Sequence, residues 1–268
     1  MKELSLQEIK QIELGLLKEF HSFCVENKIR YFLAFGTLLG AIRYKGFIPW
    51  DDDVDVLVPR EDYDRLMTLF QDSDRYRLYS FERNRKYRFP FAKLCDMTTR
   101  LTEICYPNNG VDLGVNMDIF PLDYWDNNPE KAKEELRRIR KLNACLSYLK
   151  VDKPLTDNPL RYAVWSIIVA YCKMRGSAHY IQKVIRECNK PEQRGSRYVG
   201  PKVWPIWGER VIVSAEVFAE TIEIEFEGEK FYAPVGYDTY LTSLYGDYLP
   251  EPPVEKRKTH HSFKAYKL

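Results

Sequence analysis

Asp53 and Asp55 stand two residues apart in the run Asp51-Asp52-Asp53-Val54-Asp55-Val56. On an extended strand both carboxylates face one side, roughly 6.5–7 Å apart along the chain. An unpaired buried carboxylate is costly or is driven to take a proton, so such a pair wants a positive charge between its members. Hard oxygen ligands suit Mg²⁺ or Mn²⁺, and these ions suit phosphoryl chemistry. A third acid sits in Val115-Asn116-Met117-Asp118-Ile119-Phe120. Alternation puts Val115, Met117 and Ile119 toward the core and Asp118 on the opposite face with Asn116. Beside the Asp53/Asp55 strand, Asp118 would complete a three-carboxylate set for one or two divalent ions. The plainer alternative is that Asp118 caps the turn before Pro121 or pairs with a basic neighbour.

Gly36-Thr37 precedes this strand. Glycine allows close approach of a ligand to the backbone, and the N-terminus of the helix that follows offers free N–H groups to phosphate. Arg43, later in that helix, and Lys93, in Phe91-Ala92-Lys93-Leu94, are candidates to neutralise phosphate. An ion pair to Asp51, Asp52 or Asp96 would look the same in sequence.

The elements that must position these groups alternate in the first half of the chain. Ile9, Ile12, Leu16, Phe20 and Phe23 recur at helical steps, predicting a helix over 5–27. A strand follows over 29–35, a helix to about Tyr44, a strand over 53–58 closed by Pro59, and a helix over 61–70. Shorter β segments are expected at 76–81, 87–95 and 100–105, and a strong one at 115–120. Asn128-Pro129-Glu130 opens a helix to about Lys150, with two more over 159–175 and 178–189. A hairpin over 221–233 and a short helix over 237–245 complete the pattern. The expected fold is therefore α/β (α+β), a mixed sheet flanked by helices. It divides into a catalytic core over 1–127, a helical insertion over 128–195 and a mixed segment over 196–268 that completes the same globular unit.

Composition narrows the classes. With 268 residues and 45% hydrophobic content there is material for a sizeable core. A balance of 41 basic and 39 acidic residues argues against a broad nucleic-acid-binding face. The six cysteines show no C-x-x-C pair, which disfavours a zinc site or a disulfide framework. The polar N-terminus reads as helix rather than signal peptide, so the cytoplasm is the expected location. The apolar run Tyr162–Cys172 is too short to span a bilayer, which needs about 20 residues. A buried core helix is the favoured reading of it. Peripheral contact with the inner face of the membrane is the alternative, because Arg161, Lys173 and Arg175 bracket the run.

These motifs resemble the nucleotidyltransferase fold of the DNA polymerase β-like superfamily, and more closely the LicD family of bacterial phosphocholine transferases, whose eukaryotic relatives include fukutin. The resemblance rests on Gly36-Thr37-Leu38-Leu39-Gly40-Ala41-Ile42-Arg43 and Gly46-Phe47-Ile48-Pro49-Trp50-Asp51-Asp52-Asp53-Val54-Asp55. It continues through Phe91–Leu94, Asp118-Ile119-Phe120-Pro121-Leu122-Asp123, Tyr245-Gly246-Asp247-Tyr248, Pro252-Pro253 and His260. It implies metal-dependent transfer of phosphocholine from CDP-choline to a sugar hydroxyl of a teichoic-acid or lipooligosaccharide precursor, with release of CMP. It also implies a glycan acceptor that is lipid-linked. Asp118 and His260 are the candidate bases, His260 set against a solvated tail. Choline would want an aromatic cage, to which Trp204 and Trp207 could contribute. Two other readings stay open: a donor carrying ribitol or glycerol in place of choline, and a non-catalytic nucleotide- or glycan-binding protein on the same scaffold.

Overall fold

Ser5 starts the first helix by accepting the N–H of Glu8, while the Glu8 carboxylate reaches back to the Ser5 N–H, a reciprocal cap. From there the computed structural model, which describes residues 2–103, 110–150, 158–257, 259 and 263–268, alternates helix and strand. Its elements are β1 (Lys2–Glu3), α1 (Leu6–Glu26), β2 (Phe32–Leu33), α2 (Phe35–Tyr44), β3 (Asp55–Pro59), α3 (Arg60–Leu69), β4 (Tyr76–Tyr79), β5 (Ala92–Glu103) and β6 (Leu113–Tyr124). Three helices follow, α4 (Pro129–Lys150), α5 (Pro159–Arg175) and α6 (Ser177–Cys188). The rest is β7 (Tyr198–Gly200), β8 (Val213–Ser214), β9 (Thr221–Phe226), β10 (Glu229–Pro234), α7 (Tyr237–Tyr245) and β11 (Phe263–Lys267).

Among the described residues, nine strands form one mixed sheet in the order β1-β11-β5-β6-β3-β2, with β4 on β5, β7 on β6 and β8 on β7. β3 and β6 run parallel, and β5 lies antiparallel to β6. A register shift between Asp96 and Leu101 lets β5 curl, so that its first half pairs with β4 and its second with β11. The expected α/β architecture is the one observed. Strands from the C-terminal part, β7 and β11, belong to the same sheet as β3, β5 and β6. One face of β6 buries Val115, Met117 and Ile119, and the intervening Asn116 and Asp118 stay half-buried, as alternation predicts.

Four expectations change. The strands expected over 87–95 and 100–105 are one strand, β5, which begins at Ala92 after an irregular 87–91. The strand expected over 29–35 shrinks to Phe32–Leu33. After Ala34 donates its N–H to the Asp55 carbonyl, Phe35 adopts a left-handed backbone (φ 44°) and turns the chain into α2. β3 begins at Asp55 rather than Asp53, because 51–54 precedes the ladder as an irregular segment. The apolar run expected to form a core helix forms α5, but α5 is not a core helix. It touches α4 and α6 and buries only Val169 and Cys172. α6 makes the larger contact with α4, and its Tyr180, Ile181, Val184 and Cys188 are buried.

Candidate active site

Three adjacent strands deliver the central row of the site. Asp55 on β3 is the register partner of Asp118 on β6, and Asp118 is the register partner of Lys93 on β5. The Lys93 ammonium is paired with the Asp118 carboxylate and donates to Asn116 Oδ1 at 2.9 Å. The ion-pair partner seen for Lys93 is Asp118, which the sequence alternatives Asp51, Asp52 and Asp96 did not include. Lys93 also rests over the rings of Phe89 and Phe91 at 5.4 and 5.6 Å.

The loop before β3 adds more acid. Single carboxylate oxygens of Asp51, Asp52 and Asp53 all lie within 4.8 Å of one another. Asp55 is buried, and burial together with Asp53, Asp118 and Asp51 raises its carboxyl well above the usual range, with Lys93 opposing. Gly36 packs against this group. A Cβ there would stand 2.5 Å from Asp51 Oδ2, so the absence of a side chain admits the carboxylate. Thr37 ties α2 to the strand, its Oγ1 accepting the Asp55 N–H at 2.8 Å. Gly36 and Thr37 therefore make contacts that shape the acid site.

Sequence reasoning passed over two residues of α1. Glu13 is buried, its Oε2 has no hydrogen-bond partner, and burial with Asp53, Asp52, Asp51 and Asp118 raises its pKa well above normal. Lys10 is buried as well. It donates to the Ile48 and Pro49 carbonyls at 2.9 and 3.0 Å, pinning the loop that leads to Asp51. Burial lowers its pKa, opposed by Asp51 and Glu13. A signal was present in the sequence. Glu13 falls in the stripe of Ile9, Leu16, Leu17 and Phe20, where a charge is out of place.

Arg43 lies further along α2 and donates through Nη2 to the Pro250 carbonyl at 2.6 Å. Its neighbour Tyr44 donates to Glu251 at 2.7 Å, so α2 carries the segment that follows α7. At the end of α7, Tyr245 packs edge-on against Trp207 at 5.0 Å. Burial, then Asp55, Asp51 and Asp53, raise the Tyr245 hydroxyl pKa, which places that ring within the field of the acid cluster. Trp204 packs edge-on against Phe91 at 5.7 Å. His260 lies outside the described residues.

A divalent cation fits this donor set. Asp51, Asp53 and Asp118 act electrostatically on Asp55 and, with Asp52, on Glu13, the two lysines nearby are partnered to Asp118 and to backbone carbonyls, and the Glu13 Oε2 is orphaned. Oxygen donors of this kind suit a hard ion. A separate cavity of about 390 Å³ is lined by Asp126, Lys131, Glu135, Lys190 and Gln193, among others. Its central Glu135 is already satisfied by Lys190, Gln193 and the buried Lys202, which makes it a structural clamp.

Comparison with known proteins agrees with this geometry. Residues 28–146, which carry α2, β3, β5 and β6, match the family described as LicD/FKTN/FKRP, nucleotidyltransferase domain. The chain is 31% identical over 279 residues to the lipopolysaccharide cholinephosphotransferase LicD of Haemophilus influenzae, covering 100% of both chains. It is also 30% identical over 135 residues to an uncharacterized protein of Rickettsia typhi, covering 46% of this chain and 41% of that one. With full-length similarity and a matching nucleotidyltransferase domain, the chain belongs to the LicD family of phosphotransferase enzymes.

Proposed function

We infer that this enzyme transfers phosphocholine from CDP-choline to a sugar hydroxyl of a lipopolysaccharide-type or teichoic-acid-type precursor and releases CMP, with Mg²⁺ or Mn²⁺ bound. The observation that carries the reading is the row Asp55–Asp118–Lys93 across three neighbouring strands, with Asp51, Asp52 and Asp53 beside it. The full-length similarity to a lipopolysaccharide cholinephosphotransferase supports the donor headgroup and the acceptor class.

In this reading Asp53, Asp55 and Asp118 hold the cation, and Asp51 and Asp52 complete the negative field. A bound divalent ion supplies Lewis-acid screening of the donor's pyrophosphate oxygens. The sugar oxygen forms a bond to the phosphorus that carries choline, the bond from that phosphorus to the CMP oxygen breaks, and CMP leaves with the electron pair. The hydroxyl proton goes to Asp118 or His260. Lys93 offsets charge on the phosphoryl oxygens and holds Asp118 in line with Asp55. The α2 N-terminus at Gly36-Thr37 faces the nucleotide phosphates, and Arg43 steadies the segment that closes over them. Trp207 and Tyr245 offer aromatic faces to the quaternary ammonium, within the field of the carboxylates.

Thermal unfolding with Mg²⁺ or Mn²⁺ and, in turn, CDP-choline, CDP-ribitol, CDP-glycerol and CTP tests the donor. A ligand at 100 times its dissociation constant adds about 2.7 kcal/mol of apparent stability. The expected result is a metal-dependent shift largest for CDP-choline and lost in Asp55→Asn. A shift led by CDP-ribitol or CDP-glycerol would replace the headgroup and keep the reaction. Absence of any metal-dependent shift would overturn the reading in favour of a non-catalytic scaffold. The base is identified separately: its variant loses transfer while keeping metal and donor affinity.

A further inference from the structure

Helix α5 is 17 residues long and carries no acidic residue, while Arg161, Lys173 and Arg175 lie near its two ends. Leu160, Val164, Ile167, Tyr171 and Met174 recur at steps of four and three, which align them as one stripe along the helix. All five are exposed, and Leu160, Ile167 and Met174 are 75%, 70% and 75% exposed. The opposite side meets α4 and α6 through the buried Val169 and Cys172. Trp165 leans on Tyr148 of α4 at 5.6 Å, and Arg175 stacks on Tyr171 at 5.4 Å. Water is a poor solvent for a stripe of this length, and large exposed apolar patches mark interaction sites.

We propose that α5 docks this enzyme on an anionic lipid bilayer, its apolar stripe lying along the headgroup–acyl boundary and its cationic ends against lipid phosphates. No helix among the described residues is long and apolar enough to cross a membrane, so the contact is one of lying on the surface. Charge selects the lipid over a second copy of the chain. A seam formed by two α5 helices would set Arg161 against Arg175 and Lys173 in the antiparallel arrangement, or each base against itself in the parallel one, with no acid on either helix to offset them. A bilayer rich in phosphatidylglycerol supplies the complementary charge, and the aromatic Tyr171 within the stripe suits its interface. This inference does not depend on which CDP-alcohol is the donor.

The test is co-sedimentation of the full-length protein with vesicles of phosphatidylcholine alone and of phosphatidylcholine with phosphatidylglycerol. The wild type should bind the anionic vesicles, and more weakly at high salt because headgroup attraction is screened. Leu160→Glu/Ile167→Glu/Met174→Glu should lower binding about tenfold or more at unchanged helix content and unfolding midpoint, since these side chains are 75%, 70% and 75% exposed. Arg161→Gln/Arg175→Gln should lower it less. If the triple variant fails to fold, Ile167→Ser alone serves the same comparison. Failure of the wild type to bind anionic vesicles, or equal binding by folded variant and wild type, overturns the proposal. A wild-type dimer that ignores vesicles and becomes monomeric in Ile167→Glu would assign α5 to a subunit interface instead.

Discussion

Asp55 and Asp118 face each other as register partners on the parallel strands β3 and β6, and Lys93 continues the row on β5. Neighbouring strands lie about 4.8 Å apart, so two like charges are held at close range by the hydrogen-bonded ladder itself. Lys93 answers Asp118, and burial leaves Asp55 strained by its carboxylate neighbours. Asp55→Asn should therefore raise the metal-free unfolding midpoint while abolishing its rise with Mg²⁺ or Mn²⁺. A gain of about 1 kcal/mol moves the midpoint by about 2–4 °C in a chain of this size. Scanning calorimetry with EDTA and with metal reads both changes. A variant that kept the metal response would remove Asp55 from the ligand set.

Glu13 carries a pH signature. Its folded pKa is raised, so the folded state holds this proton more tightly than the unfolded state does. Both states are protonated below the ordinary carboxylate pKa, and the penalty grows as pH rises from there toward the raised folded value. In EDTA, Glu13→Gln should match the wild type near pH 4 and exceed it increasingly toward neutrality. Midpoints that run parallel at every pH would show that Glu13 ionises without hindrance.

Thr37 connects a hydroxyl on α2 to the backbone of a site residue. Thr37→Val keeps the shape and leaves the buried Asp55 N–H without its acceptor. A loss of about 1–3 kcal/mol is expected in denaturant unfolding. Transfer activity should fall as Asp55 loses its anchor, and Thr37→Ser should retain both. Equal stability in the valine variant would mean that another acceptor takes over.

Asp123 belongs to the Asp118–Asp123 motif but has a structural partner. Arg60 Nε and Nη2 donate to its two oxygens at 2.7 and 3.0 Å, joining the start of α3 to the end of β6 in a buried pair. Arg60→Met leaves the Asp123 charge uncompensated, a loss of about 3–5 kcal/mol. Arg60→Met/Asp123→Leu should recover most of it, since two apolar side chains of similar shape need no partners. Urea unfolding of the single and double variants checks this, and an additive double variant would contradict the pairing.

Local pattern carried most of the elements. Helical periodicity marked α1, Asn128 and Pro129 marked the start of α4, and alternation put Asp118 opposite Met117 and Ile119. These features depend on neighbours a few residues away, which is why one sequence suffices to read them. The clustering of Asp53, Asp55, Asp118 and Lys93 near Gly36-Thr37 depends on sheet order, a long-range property reached through the family resemblance. The charge of Glu13 could be read, but not its orphaned position facing the aspartates, because helix periodicity gives a face and not what the face meets. The same limit explains α5. Hydropathy identified an apolar helix, but only one side of it packs on α4 and α6, and packing left the apolar stripe on the surface.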